Sequence, residues 1–400
     1  MRPRETRRRG AVAVVVSLVA LSVGQTAAAL PAAAAPAAPA ASAAPTAPAA
    51  ASRVASAQDQ AARAIARSLS DPAWRARVQH AALTTDEVSV TSLAGRAEGD
   101  LKSTLATADR RIAAAKGLDA GIGSLLRLRL GDRAMRGGLS AGKVPWVAPA
   151  TADDHAATIV AYDVQGRAHV LDARHAPARP VYVVDIDGSK ALAAGLGVLN
   201  RQLRHYGVDS AAPEVAAAAG PRTGATRKPQ AQTAAGGFWT TRISAVELSD
   251  DEEPWIKGDA EIYTLVTGFG QDGAVRVDPV DMPYLDNDGT VYRPGQILVN
   301  WSNYKYDLAD AVMMEEDGST NYRDLAKAIA TALLTITDQG TYIPLVNAIL
   351  DAIPNDWWTD DPDYVDSWYT LASSDNGTRY GARGNGWMTV EPYFVQQLST

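Results

Sequence analysis

Apolar residues in the first part of the chain recur at helical spacing. Intervals of three or four residues place side chains on one face of an α-helix. This spacing predicts one helix from Arg53 that presents Ala61, Ile65 and Leu69, and another that presents apolar residues between Leu101 and Ile112. Between them, Asp71-Pro72 is typical of a helix start, since Asp caps the free backbone N–H groups and Pro fits the first turn.

The pattern then changes to that of a small mixed unit. Residues 159–164 and 168–172 read as strands joined by a turn, and the continuous apolar run 181–186 reads as a buried strand. Apolar residues from Leu192 to Tyr206 follow at helical spacing. The expected order is therefore β-β-β-α. The alternation from Leu126 to Leu130 fits a strand or a helix equally well, and the sequence leaves it open.

From Phe238 onwards the pattern is mainly that of strands. Two helices interrupt it: one starts at Ser319 or Thr320, and the second carries Pro344 in its first turn and stops at Pro354. We therefore predict an α+β protein: a helical and small mixed N-terminal part, then a β-rich antiparallel sheet or sandwich with an inserted helical pair. The predicted strands are 239–248, 261–268, 296–301, 308–314, 364–371 and 387–395.

Composition divides the chain further. Residues 1–29 have a basic start, an apolar run and small residues at the end, as in a signal peptide, so the mature chain is expected to begin near Leu30 and to be secreted. Residues 30–52 read as an Ala/Pro-rich spacer, 53–208 as the helical and mixed region, 209–237 as a linker, and 238–400 as an acidic, Trp-rich β domain. No membrane span is expected in the mature chain. An alternative is that the first half is removed after secretion.

Charge and cysteine content exclude or disfavour some classes of function. The chain has no cysteine, so the sequence offers neither a disulfide framework nor a thiol nucleophile. Residues 238–400 hold 27 acidic and 9 basic side chains, a net charge of −18, whereas the remainder carries +11. This asymmetry predicts two separately built halves, and the acidic half disfavours nucleic acid as a partner.

Several short segments, in a fixed order, resemble a family of exported bacterial proteins catalogued only as a domain of unknown function. The resemblance covers nearly all of the mature chain and implies no activity. The segments are Asp71-Pro72, Val181 to Gly188, Glu253-Pro254-Trp255, Gly258 to Tyr263, Asn300-Trp301 and Thr320-Asn321-Tyr322.

Acidic residues in three inter-strand loops suggest a calcium site. Calcium takes six to eight oxygen ligands in flexible geometry, and it would relieve the repulsion between clustered carboxylates. The alternative is a set of solvated turns. The segment 284–295 is not an EF-hand, since Tyr284 and Gly295 occupy its first and twelfth positions. The candidate ligands are Asp250, Asp251, Glu252, Asp259, Glu261, Asp286, Asp288, Glu316 and Asp317.

A second candidate follows the strand 181–184. Asp185 and Asp187 are similar to the first motif of haloacid-dehalogenase-type phosphohydrolases, which implies a nucleophile and a general acid and base that help to hold magnesium. That family needs several further parallel βα units, whereas only one helix follows here. A strand end with an Asp-Gly turn is the simpler interpretation.

Exposed aromatic residues are the third candidate, because they can stack on sugars and other ligands. The alternative is that the aromatic residues pack in the core. Trp255 lies beside acidic residues, and the adjacent Trp357 and Trp358 cannot both be buried easily in an extended segment. Motifs of serine hydrolases and nucleotide-binding proteins are absent. We therefore expect a non-enzymatic binding or structural protein with a calcium-stabilised C-terminal domain and an extracellular glycan, peptide or cell-envelope ligand. The alternative is a metal-dependent hydrolase that uses Asp185 and Asp187 or the acidic loops.

Overall fold

The structure is a computed structural model, which describes residues 50–96, 98–150, 156–210, 236–249, 255–257, 260–316, 318, 320–353 and 364–396. The helices within this part are α1 Ala50–Ser68, α2 Pro72–Thr84, α3 Val90–Leu93, α4 Gly99–Ala115, α5 Arg136–Ser140, α6 Gly188–Tyr206, α7 Tyr322–Leu333 and α8 Val346–Ala352. The strands are β1 Glu87–Val88, β2 Leu126–Leu130, β3 Trp146–Pro149, β4 Thr158–Tyr162, β5 Ala168–Asp172, β6 Val181–Ile186, β7 Gly237–Leu248, β8 Ile262–Phe269, β9 Val275–Asp281, β10 Gln296–Asn300, β11 Leu308–Glu315, β12 Tyr364–Ala372, β13 Gly377–Tyr380 and β14 Gly386–Gln396.

The first half builds a six-stranded sheet in the order β1-β2-β6-β3-β4-β5. Only the β3–β6 pairing is parallel; the β4–β5 hairpin is antiparallel, as the sequence predicted. The segment Leu126 to Leu130, which the sequence allowed to be a strand or a helix, is strand β2. Its leucines face the helices, and its two arginines point to the other face. Helix α2 begins as predicted, with the Asp71 carboxylate accepting the Trp74 N–H at 2.8 Å.

The second half is a sandwich of two four-stranded antiparallel sheets. The outer sheet has the order β10-β7-β14-β13 and the inner sheet the order β12-β11-β8-β9. Apolar side chains from both sheets, among them Val246, Val266 and Val390, form the core between them. The predicted α+β class is therefore confirmed, including the inserted pair α7 and α8.

The largest core joins the two halves. It contains Leu128 and Tyr182 of the first sheet, and also Tyr263, Leu265 and Val312 of the inner sheet, with helices α6 and α7 between them. Strand β8 is consequently buried on both faces. The described residues, which begin at 50, belong to one compact unit in which the two halves share a core, although their charges differ. Most of the predicted linker, 211–235, lies outside the described residues, as do the signal peptide and nearly all of the spacer.

Two strands of the sandwich were missed by the sequence pattern. Strand β9 contains Pro279, and strand β13 is short and mostly exposed. Both lie at sheet edges, where proline and polar residues are tolerated because one side of the strand needs no partner. The other two edge strands, β10 and β12, were predicted, so an edge position by itself does not hide a strand. None of the helices in the described part of the chain has the length and apolar character needed to cross a membrane.

Candidate functional site

The two aspartates after strand β6 are held by arginines of the neighbouring strand β2. Asp185 accepts a hydrogen bond from Arg129 Nε at 3.1 Å, and Asp187 forms an ion pair with Arg127. Asp187 also caps helix α6 by accepting the Lys190 N–H at 3.0 Å. Both carboxylates therefore stabilise the strand-to-helix turn. The antiparallel neighbour β2 also differs from the parallel sheet of the phosphohydrolase family.

Arg129 also fixes the short segment that precedes strand β8. Its guanidinium donates to the carbonyl oxygen of Ile256 at 2.6 Å and to that of Trp255 at 3.4 Å. The Trp255 ring packs so closely on Gly131 that a Cβ there would lie 2.6 Å from it. Trp255 is thus partly buried against the first sheet rather than presented as a free ligand-stacking ring. The other aromatic candidates, Trp357 and Trp358, lie outside the described residues.

Glu261, a residue of the acidic-loop candidate site, lies beside the second candidate site, which contains Asp185 and Asp187. Its carboxyl group occupies the space that a Cβ at Gly188 would fill, directly beside the Asp187 cap of α6. Burial, and then the neighbouring carboxylates of Asp185 and Glu316, raise the pKa of Glu261 to about 9. Among the described residues its carboxyl group has no hydrogen-bond or ion-pair partner. At neutral pH this carboxyl is therefore protonated in the folded protein.

Glu316 is held differently. It forms a buried ion pair with Lys116 at the C-terminal end of α4, and it accepts a hydrogen bond from the Tyr322 hydroxyl. The backbone around it is fixed as well, since the Tyr322 N–H donates to the Lys116 carbonyl oxygen at 3.1 Å. The negative charge of Glu316, which the sequence suggested as a calcium ligand, is thus compensated by a lysine from the other half of the chain.

Described residues that flank or belong to the three acidic segments lie at one end of the sandwich. The Met282 N–H donates to the Ile262 carbonyl oxygen at 2.9 Å, the Gly289 N–H donates to that of Leu248 at 2.8 Å, and the Glu316 N–H donates to that of Glu261 at 2.9 Å. Asp286 accepts the Tyr292 hydroxyl at 2.6 Å, and Asp288 lies in the same loop. No group of three or more acidic, histidine or cysteine residues within the described part could hold a metal ion. The other predicted ligands, Asp250, Asp251, Glu252, Asp259 and Asp317, lie outside that part.

A further surface, which the sequence did not indicate, lies on the outer sheet. Tyr380 of β13 is directly opposite Trp387 of β14, and Trp387 is opposite Glu247 of β7. The Tyr380 side chain is 78% exposed, and the Trp387 indole N–H donates to Glu247 at 3.0 Å. The next pair on the same face is Thr378 and Thr389, with hydroxyl oxygens 3.1 Å apart. We call Tyr380, Trp387, Glu247, Thr378 and Thr389 the outer-sheet face.

Asp366 fixes the loop that joins the two strands of this face. One of its carboxylate oxygens accepts the N–H groups of Ser367 and Arg383, both at 2.8 Å, and the other accepts those of Asn385 and Gly386, both at 2.9 Å. The side chain is fully buried. Because a carboxylate can satisfy four backbone donors at once, one residue of β12 determines the path of the chain between Tyr380 and Trp387.

These features define the class of protein: an α+β molecule in which a helix-covered mixed sheet and an antiparallel sandwich share one core. The chain belongs to the family described as "Protein of unknown function (DUF3103)", which matches residues 58–398. The family resemblance inferred from the ordered segments is thereby confirmed. No curated protein and no solved structure matches the chain.

Proposed function

We propose that the chain is an exported, non-enzymatic binding protein whose β-rich part is stabilised by calcium. The observation that carries the non-enzymatic part is the use of Asp185 and Asp187 in the fold: each is paired with an arginine, and Asp187 caps helix α6. A nucleophilic carboxylate must be free to approach its substrate. The exposed aromatic residue on the outer sheet supports a binding role.

An assay for phosphatase activity tests the non-enzymatic part. The purified mature chain is incubated with a generic aryl phosphate and magnesium, beside Asp185→Asn and the control Asp172→Asn, whose side chain is exposed at the end of β5. We expect the same background rate for all three proteins. Hydrolysis by the wild type and the control that is lost in Asp185→Asn would establish the phosphohydrolase instead.

The calcium part is supported by the common end of the sandwich at which the acidic segments emerge. A ligand that binds only the folded state raises the melting temperature. We expect the mature chain to melt at a higher temperature in millimolar calcium than in chelator, and the difference to shrink in Asp286→Asn. The control is Asp272→Asn, in the β8–β9 turn. Equal melting temperatures of the wild type in calcium and chelator would contradict calcium stabilisation.

Export is supported by the sequence of residues 1–29. The intact mass of the protein from culture supernatant tests it. We expect a mass that corresponds to a chain beginning near Leu30. A mass that begins within the second half would instead show that the helical half is removed after secretion, and retention of the full-length chain in the cells would contradict export.

A further inference from the structure

We propose that the outer-sheet face binds a neutral polysaccharide, which lies across strands β13, β14 and β7. This inference rests on the proposed binding role and identifies its ligand class and its residues.

The first step is the alignment of three side chains in one row. Residues that are directly opposite on neighbouring strands project to the same face, and neighbouring strands lie about 4.8 Å apart. Tyr380, Trp387 and Glu247 are opposite one another on three adjacent strands, so they form a row about 10 Å long. Such a row is long enough to contact two consecutive sugar rings.

The second step is the chemistry of the row. One face of a pyranose ring carries mainly C–H groups, whereas its rim carries hydroxyl groups. The ring of Tyr380, which is 78% exposed, supplies an apolar surface for the C–H face of the sugar. Glu247 and the two threonine hydroxyl groups supply hydrogen-bond partners for the hydroxyl groups at the rim of the sugar. The Trp387 indole is held in place by its own hydrogen bond to Glu247, so little side-chain entropy is lost on binding.

The charge and polarity of the outer-sheet face make other classes of partner unfavourable. An apolar protein surface would remove the Glu247 carboxylate from water and supply no hydrogen-bond donor beyond the Trp387 indole N–H, which is unfavourable. A polyanion, such as a nucleic acid or an acidic polysaccharide, would be repelled by the net charge of −18 on residues 238–400. A neutral polysaccharide satisfies the polar side chains and is not repelled.

The outer-sheet face is also fixed before any ligand arrives. The four hydrogen bonds to Asp366 hold the loop between Tyr380 and Trp387, and Arg379 is held by an ion pair with Asp375. A preformed face binds with less ordering cost than a flexible one. Asp366 is accordingly a positioning residue for this surface.

The test is retention of the full mature chain on insoluble cellulose and chitin, and its mobility in native gels containing a soluble neutral β-glucan or alginate. We expect binding to at least one neutral polymer and no binding to alginate. Tyr380→Ala should weaken that binding about tenfold or more, whereas Tyr380→Phe, which keeps the ring, should bind as the wild type does. The matched control is Tyr369→Ala, since Tyr369 is also exposed, at 40%, but lies on the inner sheet.

Circular dichroism establishes that each variant is folded, which is expected because Tyr380 is exposed. The inference is overturned if the wild type binds none of the neutral polymers, if it prefers alginate, or if Tyr380→Ala binds as well as the control. These outcomes are distinct from failure of the proposed function, which would appear as phosphatase activity that depends on Asp185.

Discussion

At the scale of single residues, Glu261 is the most perturbed group of the candidate site. Its carboxyl group lies in the space beside Gly188 and among other carboxylates, and both burial and charge favour its protonated form. The pKa of about 9 in the folded protein compares with an ordinary value of 4.5. The folded state therefore keeps a proton that the unfolded chain releases above pH 4.5, and folding becomes less favourable as the pH rises.

Replacing Glu261 by Gln should remove this pH dependence. In chelator, so that no cation can hold the carboxylate ionised, we expect Glu261→Gln to unfold with a free energy on the order of 2 kcal/mol above that of the wild type at pH 7.5. At pH 4 the two proteins should be equally stable. Urea unfolding at both pH values measures the difference. A difference that is the same at both would show that Glu261 is not protonated in the folded protein.

Gly188 is the second residue on which this packing depends. An alanine Cβ would overlap the Glu261 carboxyl group, so Gly188→Ala should lower the free energy of unfolding by about 1–3 kcal/mol. The control is Gly137→Ala, where a Cβ meets nothing within 4 Å. In the background Glu261→Ala the cost of Gly188→Ala should largely vanish. If the cost stays the same there, the contact between these two residues does not cause it.

At the scale of elements, the end of α4 and the start of α7 are joined by a polar cluster with a buried ion pair at its centre. Lys116 and Glu316 are paired out of contact with water, and Asn321 and Arg323 donate to the carbonyl oxygens of Ala115 and Gly117, both at 2.7 Å. The cluster links the helical half to the sandwich. Removing one charge of such a pair leaves the other buried without compensation, which costs more than the pair itself contributes.

We therefore expect Lys116→Met to lower the free energy of unfolding by about 3–5 kcal/mol. The double variant Lys116→Met with Glu316→Gln should recover part of that loss, because no uncompensated charge remains. Lys327→Met, at an exposed position of α7, is the control for loss of a lysine. Denaturant unfolding measures all four proteins, and a Lys116→Met variant as stable as this control would contradict the structural role of the pair.

At the scale of the whole molecule, the shared core predicts cooperative unfolding. Side chains of the six-stranded sheet and of the inner sheet pack in the same cluster, so neither half keeps a complete core without the other. We expect far-UV circular dichroism and tryptophan fluorescence of the mature chain to follow the same denaturant transition. Two separated transitions would indicate that the halves unfold independently, as the charge asymmetry alone had suggested.

Local patterns determined much of the architecture. The apolar run 181–186, the helix that follows it, and the central strands of the sandwich could be predicted because buried elements must carry apolar residues at the period of a helix or a strand. The helix start at Asp71-Pro72 could likewise be predicted, since capping depends only on neighbouring residues. Strands β9 and β13 were not, because β9 contains Pro279, which is disfavoured in strands, and β13 has four residues that are mostly exposed.

Tertiary structure alone decided which residues meet. Asp185 and Glu261 are 76 positions apart in the sequence, and only the packing of β8 beside the β6–α6 turn brings them together. The same holds for Lys116 and Glu316, whose pairing gives a buried acidic residue a counter-charge that no local pattern reveals. The sequence by itself determined most of the elements, the family and the charge of each half. The contacts between the halves, and the row of Tyr380, Trp387 and Glu247 on the outer sheet, depend on strand order and register, which are set by long-range packing.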